Sequence, residues 1–185
     1  MQLLTLLKKY SINLVICMSL TVVITALRVE KNILEVSLTF LSTLLGMLFL
    51  DVDYFLQAYW NDPDSAFSKG LKELVAQRNL KGSLNYMSMH KAELSKRLVH
   101  SAIFQVLLLC SGLMLMSASE NIVGIAFVLS ALFNLIYRMY EELEDRHSTA
   151  AWFWFLKSAP NSTLQKIYLV ILSILSLSLL IFIPR

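Results

Sequence analysis

Two carboxylates one residue apart, in Leu50-Asp51-Val52-Asp53-Tyr54, follow directly on an apolar run. Such a pair can hold a hard cation where a helix unwinds and both oxygens turn to one side. His100 stands in a second apolar run, two residues after Leu98, and would add a nitrogen ligand, favouring zinc or manganese over calcium. Asn134, Arg138, Glu141, Glu142 and Asp145 recur at spacings of three and four, which puts them on one helix stripe. A divalent ion (zinc, manganese or magnesium) at Asp51, Asp53 and His100 would activate water against a phosphate or ester, with Glu141 or Glu142 completing the shell or acting as base. The competing reading needs no ion. Carboxylates at helix ends are commonly solvated or paired with Arg and Lys, a histidine in an apolar run can be a hydrogen-bonded structural residue, and Glu141 to Asp145 reads as a solvated helix end.

These groups need elements to carry them, and composition says which. Hydrophobic residues make up 57% of the 185 and charged residues 16%. A soluble domain has roughly 45–50% and about 25%. The expected fold is therefore an all-α integral membrane protein, a single domain of about five spanning helices over residues 11–27, 33–50, 98–116, 122–137 and 167–183. Lipid cannot satisfy backbone polar groups, so the spans must be helical. The first run lacks a small-x-small cleavage site and is expected to remain as a helix. Cys17 and Cys110 lie in apolar runs and are expected to be small buried hydrophobes.

Thirteen of the sixteen Lys and Arg residues fall on one side of the expected spans and three, Arg28, Lys31 and Arg185, on the other. The positive-inside rule then gives an inner-membrane protein with a cytoplasmic amino terminus and an external carboxyl terminus. In that orientation Asp51, Asp53, His100, Asn134 and Arg138 share one depth at the cytoplasmic ends of three helices. They are expected to form a polar pocket that faces the bundle.

Residues 54–97 form the one long polar connection. Asp62-Pro63-Asp64-Ser65 predicts a turn and helix start capped by Asp64 or Ser65. Phe67, Leu71, Leu74 and Val75 give residues 66–79 an apolar face with basic residues between, the pattern of a helix lying on anionic lipid. Lys81-Gly82-Ser83 should end it, and a second short helix should run from Leu84 into the third span. Trp60, Trp152 and Trp154 are expected at membrane interfaces. The charge of +3, spread through loops, gives no nucleic-acid surface. The expected partners are anionic lipids and a membrane or cytoplasmic protein. His90 and His147 lie in polar loops, Ser101 beside His100 points to a neighbouring helix face, and no Gly-rich phosphate loop occurs. Nothing suggests the inverted repeats of a transporter.

At the residues named first, the chain resembles the membrane-bound metal-dependent hydrolase family, the YdjM-like proteins. Those place an Asp-x-Asp-His motif after an early helix, His-Arg-x-x-Thr-His-Ser at the start of a later one, and His-x-x-x-Asp on the next. Leu50 to Tyr54 resembles the first motif, Ser95-Lys96-Arg97-Leu98-Val99-His100-Ser101 the second, and Asn134-Leu135-Ile136-Tyr137-Arg138 the third. The resemblance implies a metal-dependent hydrolase bundle, with Asp51, Asp53, His100 and Ser101 matching. Tyr54, Ser95, Asn134 and Arg138 stand where the family has His, His, His and Asp. Arg138 would repel a metal and could pair with Asp51 or Asp53 instead, as in a catalytically inactive relative serving in binding or assembly.

Overall fold

The structure is a computed structural model that describes residues 2–90, 98–118, 121–146 and 149–183. Ser95, Lys96, Arg97 and His147, named above, lie outside the described residues. The chain runs through α1 (Gln2–Arg28), α2 (Ile33–Phe49), α3 (Val52–Leu56), a π-helical turn (Gln57–Asn61), α4 (Ala66–Ala76), α5 (Leu80–Met89), α6 (Ala102–Ala118), α7 (Ile122–Arg146), a 3-10 turn (Ala150–Phe153) and α8 (Ser162–Leu179). No strand occurs among the described residues.

Four stretches are long and apolar enough to cross a membrane: Tyr10–Arg28, Ile33–Asn61, Ile122–Asp145 and Ser162–Phe182. Of the five expected spans four therefore stand out by length, and the other, α6, is a shorter apolar helix of 17 residues. At about 1.5 Å per residue it reaches about 26 Å, short of a hydrocarbon core of about 30 Å. Conversely, α7 runs well past Tyr137, since its polar stripe continues the helix.

α7 is the central rod. Its candidate span is 61% buried, against 22% for that of α8. Ile125, Leu129, Leu132, Leu135 and Met139 have no exposed surface and sit at helical spacing on its inner face. α2 lies closest to it. At Gly46 an added Cβ would drive into the Phe127 carbonyl oxygen, so only glycine permits this approach. The Ser42 hydroxyl donates to the Val123 carbonyl oxygen and the Ser130 hydroxyl to that of Thr43, at 2.6 Å.

The second rod does not stop at residue 50. Around Leu50 and Asp51 the hydrogen bonds tighten to the i−3 carbonyl, with Leu50 N on Met47 O and Asp51 N on Leu48 O. They relax again into α3 and widen into the π-helical turn. Asp51 thus sits at an interruption inside a rod.

Ser65 caps α4, its hydroxyl accepting from Ser68 N at 3.2 Å. Part of the apolar face of α4 packs within the chain. Phe67 and Leu71 are buried with Tyr54, Ala58 and Met87, and Val75 packs alongside. The break before α5 falls at Asn79, whose side chain accepts from Gly82 N at 2.8 Å, so Lys81, Gly82 and Ser83 open α5 rather than end α4. Arg78, at φ 53°, makes the reversal. Cys17 is buried as expected, whereas Cys110 is exposed on the outer face of α6. Trp152 is fully buried, contrary to an interfacial position, while Trp60 and Trp154 are exposed.

Candidate functional site: a buried ionic cluster at one end of the bundle

Asp51, Asp53, His100 and Arg138 are 8%, 3%, 5% and 8% exposed, buried together where α2 gives way to α3. Burying charge is costly unless every group finds a partner, and here each does. Arg138, brought in by α7, places Nη1 2.9 Å from Asp51 Oδ1 and 3.0 Å from His100 Nε2. The His100 ring reaches Asp53 Oδ2 through Nδ1 at 2.9 Å. A guanidinium only donates, so Nε2 must accept and the ring proton must lie on Nδ1, donating to Asp53. The order of the chain is then Asp51, Arg138, neutral His100, Asp53.

Asp53 does a second job. Its Oδ1 accepts the backbone N–H groups of Leu98 and Val99, at 3.0 and 2.9 Å, and its Oδ2 that of His100, at 2.7 Å. One carboxylate thereby satisfies three consecutive amides ahead of α6, a local nest of donors. Tyr10 on α1 adds a hydroxyl 3.2 Å from Asp51 Oδ2. Four elements meet: α1, the Asp51 turn with α3, the segment before α6, and α7. Aromatic walls close the cluster, with the His100 ring edge-on to Trp152 at 5.7 Å and to Tyr54 at 6.4 Å.

The sequence-derived residues are only partly brought together. Asp51, Asp53, His100 and Arg138 converge. Asn134 lies one turn away on α7 and is fully buried, but its Nδ2 donates to Ser130 O at 2.9 Å and it belongs to a separate neutral seam. In that seam Thr21 and Thr43 hydroxyls meet at 3.1 Å, and Cys17 Sγ lies 3.5 Å from Ser130 Oγ. Glu142 accepts the indole N–H of Trp152 at 2.8 Å, so one proposed base is engaged in holding a tryptophan. Glu141 is half-buried and Asp145 exposed. His90 stays with Tyr86, its Nδ1 2.9 Å from the Tyr86 carbonyl oxygen, and the Ser101 hydroxyl donates to Leu98 O.

The three ligands that the sequence suggested for a divalent ion are turned to other partners. Asp51 faces Arg138, Asp53 is filled by amides and imidazole, and His100 Nε2 points at a cation. Among the described residues no group of three His, Cys, Asp or Glu side chains is arranged to hold a metal. Arg138 Nη1 thus takes up lone pairs of Asp51 and His100, and the amides take up those of Asp53, that a resident ion would need. Tyr10 and Trp152 were missed from the sequence. Tyr10 was detectable, since Tyr10, Asn13, Cys17 and Thr21 follow spacings of three and four along α1. Trp152 was not, because its partner Glu142 belongs to another element.

Fold and cluster define the class: an all-helical protein with four helices long and apolar enough to cross a membrane, carrying an ion-paired polar cluster at one bundle end. Comparison with known proteins finds no matching family, curated protein or solved structure.

Proposed function

We propose that this protein is a non-catalytic component of the bacterial-type inner membrane, serving in binding or assembly, in which Arg138 takes the place that an ion holds in a metal-dependent enzyme. The observation that carries the reading is the bridging position of Arg138 Nη1 between Asp51 and His100. An arginine there supplies the positive charge without lability. Its contribution is to lock the ends of α1, α2 and α7 and the entry to α6 into one rigid surface. The amino terminus lies in the cytoplasm and the carboxyl terminus outside, as the distribution of Lys and Arg favours. In this orientation the cluster and the α4–α5 hairpin face the cytoplasm, where a protein partner would meet them.

The test is elemental analysis of protein purified in detergent, together with Asp53→Ala, for zinc, manganese and magnesium. The reading expects no metal in the wild-type protein above the level in the variant. Stoichiometric metal in the wild type, lost in Asp53→Ala, would overturn it and restore the hydrolase. Reporter fusions at the two termini test the orientation separately.

A further inference from the structure

The segment between α7 and α8 is braced at both ends and apolar at its tip. Thr149 donates to Gln165 Oε1 through its backbone N–H and its hydroxyl, at 2.9 and 3.0 Å, and Gln165 Nε2 donates to Pro160 O at 2.8 Å. Trp152 is buried and tied to Glu142, and Phe153 packs edge-on to Tyr168 at 5.4 Å. Asn161 then caps α8. Between these fixed points Trp154, Phe155 and Leu156 are 39%, 40% and 43% exposed, and Lys157 beside them is also exposed. A loop held this firmly keeps three large apolar side chains outward only where something apolar receives them.

Position identifies what that is. The segment joins a candidate span ending at Asp145 to one starting at Ser162. Its tip therefore stands where the lipid-facing surface of α8 meets water. Arg138 pairs with Asp51, so the ends of α7 and of the second rod lie together. Tyr59 and Trp60, 49% and 78% exposed at the close of that rod, belong to the same end. From Thr149 to Lys166 the chain carries two lysines and no carboxylate. Aromatic rings with an adjoining cation suit the headgroup layer of an anionic leaflet.

We infer that Trp154-Phe155-Leu156-Lys157, with Tyr59 and Trp60, forms an anchor seated in the headgroup region of an anionic bilayer. It rests on the chain spanning a membrane, not on what the ionic cluster does. Its consequence is depth: the anchor marks the membrane boundary beside the cluster, so Asp51 and Arg138 pair next to lipid rather than in bulk water.

The experiment uses the full chain in vesicles of phosphatidylglycerol and phosphatidylcholine. Trp60→Phe leaves Trp154 and the buried Trp152, and Trp60→Phe/Trp154→Phe gives the Trp152 baseline. Lipids brominated at shallow acyl positions should quench Trp154 more than those brominated deep, and aqueous iodide should quench it weakly. Lys157→Glu should shift its emission to the red and raise iodide quenching. Val170→Trp, on the exposed face of α8, should be quenched most by deep bromines. If Val170→Trp responds and Trp154 is quenched only by iodide, the anchor is wrong while the span stands. Protection of Trp154 from both quenchers would put a protein on this tip and equally overturn the anchor. Failure of Val170→Trp to respond would remove the membrane reading itself.

Discussion

The bundle ties α1, α2 and α7 together twice, by different chemistry. Near the middle the links are neutral: Thr21 to Thr43, Cys17 to Ser130, Ser130 to the Thr43 carbonyl oxygen, and Asn134 to Ser130. At one end they are ionic, with Asp51 and Arg138 paired and His100 and Asp53 alongside. Hydroxyls can bond their own helix when a neighbour is lost, as Thr21 does with Cys17 O at 2.8 Å. A buried carboxylate or guanidinium has no such refuge. The neutral seam is therefore tolerant and the ionic cluster all-or-none, and only the latter specifies how the elements meet.

Substitutions can break or sharpen that contrast. Arg138→Ala should have the largest effect, about 3–5 kcal/mol, because it leaves the Asp51 carboxylate buried without its cation. A large fall in the detergent melting temperature checks it, and a neutral result would mean the cluster is solvated. Asp53→Asn should cost about 1.5–3 kcal/mol, since amides that bonded a charged acceptor then face a neutral one. Hydrogen exchange at the amides of Leu98, Val99 and His100 should accelerate more than elsewhere. Thr21→Val should cost only about 0.6 kcal/mol, the usual worth of an interhelical hydrogen bond in a membrane bundle. A loss as large as that of Arg138→Ala would erase the distinction drawn here. Asn134→Leu should be near neutral by the same melting assay, because Asn134 Oδ1 is already a buried acceptor without a partner.

The smallest effect belongs outside the spans. Glu30 accepts the Asn32 backbone N–H at 2.8 Å, and this bond holds its carboxyl below the usual glutamate range. A depressed value means that any stabilisation is present above the ordinary pKa and lost on acidification through the folded value. The carboxyl lies in a short surface turn between α1 and α2, so Glu30→Gln should leave the melting temperature unchanged at neutral pH.

Much of the fold was legible because lipid imposes simple rules. Apolar runs marked α1, α2, α7 and α8, and Ser65, one of the two caps the sequence offered, began α4. The boundaries failed where other physics took over. Residues after 50 stay helical because apolar contacts of Tyr54 and Ala58 with Phe67 and Leu71 reward it. α6 begins at Ala102 rather than residue 98, since Leu98 to His100 give their amides to Asp53. Trp152 looked interfacial because a tryptophan near an expected edge usually is, yet Glu142 one helix away holds it inside.

By itself the sequence determined that the chain is helical, rich in apolar spans, and furnished with a few ionisable residues at neighbouring helix ends, because hydropathy and spacing act along the chain. Which of those residues face one another was decided only in three dimensions. Arg138 and Asp51 are 87 positions apart, and His100 finds Asp53 across 47. Pairing at such separation depends on how rods pack, and a buried charge takes whichever partner that packing brings within about 3 Å.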